Sequence, residues 1–233
     1  MQYVVGIEEF VNAHVFDSEK VGGEEGCTIF TEDLVLNKAE YKENSELNTS
    51  GYELTAKIDE CLKERQKAMD ARTGEAGYNA QIGNINQQSA KIGELAADDF
   101  VRSKRPNAKL LHPKDIGTSI SKPGDFDMVY EVEEPPPGEI IIVEAKGGSS
   151  PLGSRKLGNM AYQQGTTEYA TAITDLMAQK DKDTTEWKAA RSINKALRKK
   201  IPVRYIHTTA AISDAGEVSS VNVKEFNVEL GFD

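Results

Sequence analysis

Cysteine is scarce in these 233 residues: Cys27 and Cys61 lie far apart, without C-x-x-C spacing and without a nearby histidine pair. That argues against a disulfide framework and against a structural zinc site. Histidine is equally sparse. His14, His112 and His207 are scattered, so no His-based metal centre or Ser-His-Asp triad offers itself as a starting point. No apolar run approaches the ~18 residues that a membrane span requires. The opening Met1-Gln-Tyr-Val-Val-Gly-Ile-Glu-Glu lacks the basic and apolar regions of a secretory leader, so no signal peptide is expected.

What is present is an ordinary globular composition, 28% charged and 38% hydrophobic, with length for one substantial domain or a domain with an appendage. The net charge of −10 is unevenly spread. Residues 1–100 carry 20 acids against 9 bases, whereas residues 101–233 carry 18 against 19. Between Trp187 and Tyr205 stand Lys188, Arg191, Lys195, Arg198, Lys199, Lys200 and Arg204 with no acid among them. Such a stretch suits phosphate contacts, or equally a solvated helix face whose bases favour its own C-terminal dipole.

Along the chain, residues 1–50 mix short apolar runs (Tyr3 to Val5, Thr28 to Phe30, Leu34 to Leu36) with polar loops. Helical periodicity predicts a helix from Tyr52 to about Arg72 and another from about Gly77 to Ser103. The period then changes. Lys109 to His112 reads as a loop or short strand, followed by two strands joined through Pro135-Pro136-Pro137-Gly138, where no ladder donor is needed. Helices are expected from about Leu157 to Ala178 and, after a capping-box pattern at Asp183-Thr-Thr-Glu186, on to Lys200. Strands over Val203 to Ile212 and Val218 to Leu230 complete an order that argues for a mixed α/β sheet flanked by helices.

The chemistry concentrates in the proline-turn hairpin. Its second strand, Ile140 to Val143, is apolar yet ends in Glu144-Ala145-Lys146. Residues two apart on a strand face the same way, so Glu144 and Lys146 share the face of Ile140 and Ile142, at the rim of an apolar surface. An uncompensated charge there costs several kcal/mol. Folding the hairpin back brings Asp127 beside them. Two carboxylates and a lysine suit a hard divalent cation such as Mg²⁺ or Mn²⁺, and Gly147-Gly148 would let a bulky substrate approach the backbone. For an isolated E-x-K, a cross-strand salt bridge of Lys146 with Asp127 or Glu131 would suffice.

Gly124-Asp-Phe-Asp127 followed after a turn by Ile-Val-Glu144-Ala-Lys146 resembles the PD-(D/E)xK nuclease superfamily, the restriction-endonuclease-like fold. Gly93-Glu94-Leu-Ala-Ala97 is similar to that superfamily's first-helix acid, and Tyr162-Gln163-Gln164-Gly165 to its helix glutamine. More narrowly, the stretch from Val143 to Tyr169 resembles nuclease domains at the C-termini of bacterial polymorphic toxins. The resemblance covers about residues 90–212. It implies a restriction-endonuclease-like core in residues 76–233, preceded by an acidic, mainly helical region of unknown role in residues 1–75. It also implies Asp127, Glu144 and the carbonyl of Ala145 as metal ligands for Mg²⁺ or Mn²⁺. Lys146 would orient or deprotonate water, Glu94 would complete the outer ligation, and Gln163 or Gln164 would fix water or a phosphate oxygen.

The activity expected on this basis is metal-dependent hydrolysis of nucleic acid, DNA first, with Lys188, Arg191, Lys195, Arg198, Lys199 and Lys200 gripping the backbone. The biological role expected is an interbacterial toxin, acting in the cytoplasm of a target bacterium and neutralised by a cognate immunity protein. A repair or restriction nuclease or an RNase on the same site, and a binding module with an inactive nuclease fold, are the alternatives.

Overall fold

The computed structural model describes residues 36–72, 74–117, 124–157, 160–213 and 215–231. The apolar runs at Tyr3 and Thr28, Cys27, His14 and Asp214 lie outside them. The elements, in order, are β1 (Leu36–Asn37), β2 (Thr49–Tyr52), α1 (Asp59–Asp70), α2 (Gly74–Lys104), β3 (Lys109–His112), β4 (Met128–Val132), β5 (Glu139–Gly147), β6 (Ser154–Leu157), β7 (Met160–Gln163), α3 (Thr167–Ala178), α4 (Thr185–Arg198), β8 (Val203–Ile212) and β9 (Val218–Glu225). No helix among the described residues is long and apolar enough to cross a membrane.

Six strands form a mixed central sheet in the order β2-β9-β8-β5-β4-β3, in which only β5 and β8 run parallel. A parallel pair needs a long crossover, here supplied by β6, β7, α3 and α4. Alternation along β5 divides the core as the side-chain period of two demands. Ile141, Val143 and Ala145 join Ile92, Ala96, Ala97 and Phe100 of α2 on one side. Ile140 and Ile142 join Ile173 and Met177 of α3 and Ala189, Ala190 and Ile193 of α4 on the other.

Several expectations are corrected. The helix expected from Tyr52 begins at Asp59, because Tyr52 ends β2, an edge strand paired with β9. The division at residue 75 therefore marks no break in the sheet. The helix expected from Leu157 begins at Thr167; residues 154–157 and 160–163 instead form the antiparallel hairpin strands β6 and β7, which make a three-stranded sheet with β1. Gly165, at φ 89°, turns the chain out of that hairpin, and Thr166 caps α3 by accepting from the backbone N–H of Tyr169 at 3.2 Å. The cap of α4 is Thr184, not Asp183: its hydroxyl accepts from the Trp187 N–H. The last strand stops at Glu225, leaving Phe226 in an isolated bridge with Tyr41.

Gly147 does not open a path for substrate. A Cβ there would stand 1.8 Å from the Ser89 carbonyl oxygen, and one at Gly93 would stand 2.7 Å from the Lys146 carbonyl carbon. These two glycines let α2 lie directly on the end of β5. Gly148, at φ 74°, makes the turn that follows.

Candidate active site

Asp127 immediately precedes β4. Met128 is opposite Val143, so continuing the antiparallel register by one pair sets Asp127 opposite Glu144 on the same face. The Ala145 N–H donates to Asp127 Oδ2 at 2.8 Å. A strand residue presents its N–H and C=O to the same edge, so the Ala145 carbonyl belongs to the Asp127 edge too. Lys146 Nζ lies 4.0 Å from Asp127 Oδ2, a loose ion pair. The hairpin thus brings together the three side chains that sequence patterning selected.

Glu144 is completely buried. Its Oε1 accepts from the Tyr205 hydroxyl at 2.6 Å and its Oε2 from Gln164 Nε2 at 2.6 Å. Burial, followed by the negative charge of Asp127, raises its pKa well above the usual carboxylate range, against the pull of Lys146. Glu94, on α2, is 4% exposed and accepts from the Gly117 N–H at 3.0 Å. Burial, with Asp127 adding to it, pushes its pKa up to about 7. Glu144 and Glu94 thus each feel the charge of Asp127 at one end of the sheet.

The glutamines separate. Gln164, in the turn before α3, bridges Glu144 to the N–H of Gly153, which its Oε1 accepts at 2.7 Å. Gln163, the last residue of β7, accepts from the Ala39 N–H at 2.8 Å. Neither sits on a helix, and Gln163 points to the N-terminal segment rather than to Glu144. Hairpin alternation explains this: adjacent residues leave the strand on opposite sides.

Parallel register adds residues that patterning missed. His207 is opposite Glu144 and Thr209 opposite Lys146. Tyr205 is opposite Ile142, two residues earlier on the same face. The His207 ring contacts the Tyr41 hydroxyl at 2.8 Å through Nδ1 and Thr209 Oγ1 at 3.2 Å through Nε2. Burial first, then the charges of Lys146 and Lys224, lower its pKa to about 4. The available signal was the alternation of Tyr205, His207 and Thr209 within an otherwise buried strand, whose register could not be known without its neighbour. His112 serves as a structural hydrogen-bond partner, its Nδ1 3.0 Å from Thr185 Oγ1.

The donor set at this sheet end is of the kind a hard cation takes. Asp127, Glu144 and the Ala145 edge offer hard oxygen ligands, and the pressure among the acids is of the kind a divalent ion relieves. Among the described residues no group of three His, Cys, Asp or Glu forms a ready cage. Mg²⁺ commonly uses one or two carboxylates and completes its shell with water and substrate phosphate. The residues fit such an ion.

Lys188, Arg191, Lys195, Arg198, Lys199 and Lys200 are all exposed, and those within α4 recur at intervals of three and four residues, forming one stripe. The N-terminus of α4 adjoins His112, near Asp127. Its C-terminus leads to Pro202, whose carbonyl accepts from the Ile140 N–H at the opposite end of β5. Over its 14 residues α4 runs about 21 Å away from the acids, carrying the stripe with it. Arg204, from the same basic run, is not available for phosphate: it is held by Glu225 at 2.5 Å and Glu46 at 2.7 Å.

Comparison of the chain with models of known protein families, with curated proteins and with solved structures finds no match.

Proposed function

We propose that the chain is a metal-dependent nuclease of PD-(D/E)xK type, hydrolysing phosphodiester bonds in nucleic acid, with DNA as the expected substrate. The observation that carries this reading is the convergence of Asp127, Glu144 and Lys146 at one buried sheet end, with Glu94 and Gln164 beside them. Asp127, Glu144 and the Ala145 carbonyl would hold Mg²⁺ or Mn²⁺. When bound, such an ion polarises the scissile phosphate and acidifies water.

The chain's own groups do the rest. Tyr205 and Gln164 fix the Glu144 carboxyl in orientation, and a bound ion would offset the burial and the Asp127 charge that raise its pKa. Lys146 supplies a cation beside Asp127 that would orient the attacking water; only in its neutral amine form would it take that water's proton. Glu94 holds the loop at Gly117 and faces the Asp127 charge. The α4 stripe supports contact with the phosphate backbone, and such contacts carry little sequence information. Low sequence specificity is therefore expected; discrete fragments from a long duplex would contradict it. The toxin role, and an immunity protein as partner, extend this proposal on the resemblance of residues 143–169.

A second reading, a binding module with an inactive nuclease fold, has one observation in its favour: both Glu144 oxygens already accept hydrogen bonds. Incubating supercoiled plasmid, linear DNA and tRNA with the protein in Mg²⁺, Mn²⁺ or EDTA, beside Lys146→Ala, separates the two. Metal-dependent cutting lost in the variant is expected of a nuclease. Folded protein that cuts none of the three substrates would favour the binding module.

A further inference from the structure

We infer that Arg155 is the residue that grips the substrate phosphate at the acid pair, an inference that rests on the nuclease reading. Arg155 lies on β6 opposite Tyr162 of β7, and cross-strand partners share a face. Tyr162 packs against the core cluster containing Phe126 and Tyr169, so Arg155 faces inward, toward the central sheet. Its guanidinium occupies the space that a side chain at residue 124 would take. A Cβ on Gly124 would stand 2.8 Å from Nη1 and 3.2 Å from Cζ. Gly124 begins the segment that delivers Asp127, three residues on.

The hairpin is also tied to Glu144. Gln164 accepts from the Gly153 N–H and donates to Glu144, so one side chain separates the acid from a residue two before Arg155. The Tyr169 hydroxyl senses the same neighbourhood: after burial, Glu144 and Asp127 raise its pKa, and Arg155 lowers it. Arg155 is half-buried, yet among the described residues no carboxylate pairs with it. By contrast, the half-buried Arg105 and Arg204 each engage two or more acids. A half-buried guanidinium with no carboxylate partner among the described residues keeps its planar fork open, and that fork matches two phosphate oxygens.

Arg155 therefore stands ready to bind a non-bridging oxygen of a phosphodiester held against Asp127, Glu144 and Lys146. The test uses the full chain, with Arg155→Ala and Arg155→Lys, in two assays. In EDTA, fluorescence anisotropy of a short DNA duplex is followed against salt; with Mg²⁺, kcat/KM is measured on the same duplex. Removing one phosphate contact lowers the salt slope of log K by about one in Arg155→Ala, and loss of an oriented donor lowers kcat/KM by about 100-fold. Lysine restores the slope but not the rate, because a point charge replaces the fork. Unchanged melting temperatures identify these effects as local. A wild type that cuts beside an Arg155→Ala variant with equal slope and rate would overturn the inference and leave the nuclease reading standing. A wild type that cuts nothing, yet binds with an Arg155-dependent slope, would remove the nuclease reading and uphold the phosphate contact.

Discussion

Replacing Gly147 by alanine should damage the fold more than any other single methyl added at a described glycine of α2 or of the β5 end. The added Cβ would sit 1.8 Å from the Ser89 carbonyl oxygen, 2.7 Å from its carbon and 3.2 Å from the Gly93 nitrogen. Two of these are helix backbone atoms of one residue, so no side-chain rotation relieves the clash. Restoring a contact of about 3.5 Å requires α2 to retreat by about 1.7 Å. That loosens Ile92, Ala96, Ala97 and Phe100, all at 0% exposure, against β5. A forced shift of a packed element costs 1–3 kcal/mol, and the backbone origin of this clash puts Gly147→Ala at about 3 kcal/mol. Gly83→Ala, in the same helix with nothing within 4 Å of the new methyl, should instead gain about 1 kcal/mol from helix propensity. Gly148→Ala meets no atoms but sits at φ 74°, and should lose about 1–2 kcal/mol. Urea unfolding of the three variants, with m-values compared, reads these differences as midpoint shifts. If Gly147→Ala unfolds at the wild-type midpoint, the close seating of α2 on β5 is wrong, and with it the placement of Glu94 beside Asp127.

Glu94→Gln should stabilise the metal-free protein increasingly as pH rises. The folded carboxyl at about 7 lies above its ordinary 4.5, so its contribution is intact below 4.5 and lost through 7. The stability difference from wild type should grow by about 3 kcal/mol between pH 4.5 and 8.5 in EDTA, and a flat difference would contradict it. Glu225 behaves oppositely. Despite burial, hydrogen bonds from Arg204, Lys42 and Ser45 hold its pKa below the ordinary value, so its contribution is present above that value and is lost as pH falls through the folded pKa. Glu225→Ala should cost about 3 kcal/mol by leaving Arg204 and Lys42 short of their anion, and equal urea midpoints would refute this. Lys188→Gln with Arg191→Gln should lower the salt slope of duplex binding by about two if nucleic acid lies along α4; an unchanged slope would confine the stripe to a solvated face.

The hairpin chemistry was legible because its determinants are local. Strand alternation alone sets Glu144 and Lys146 on the face of Ile140 and Ile142, and a proline-rich turn folds Asp127 onto them; β5 and β4 obey both rules. The strand from Val203 to Ile212 and the helix ending near Lys200 were legible for the same reason. The failures have a different origin. Residues 157–166 carry Tyr162, Gln163 and Gln164 in a pattern compatible with a helix, but pairing of β7 with β6 and β1 outweighs that local preference. Gly147 looked like an approach path because a glycine beside a site is locally ambiguous, and only the distant Ser89 and Gly93 resolve it.

The same distinction explains the composition of the site itself. Asp127, Glu144 and Lys146 come from one hairpin, and their spacing advertises them. Tyr205, His207 and Arg155 come from β8 and the crossover, and nothing in their own neighbourhoods marks them; Gln164, from the same crossover, was marked only by the motif around it. Their arrangement follows from one topological fact, the parallel pairing of β5 with β8. That pairing puts Tyr205 beside Ile142 and His207 beside Glu144, and its obligatory crossover supplies the hairpin on which Arg155 and Gln164 ride. A buried acid at the end of β5 requires donors, and the crossover is the segment of chain that must pass close enough to supply them. Gln164 does so directly, binding Glu144 at one end and the hairpin backbone at the other.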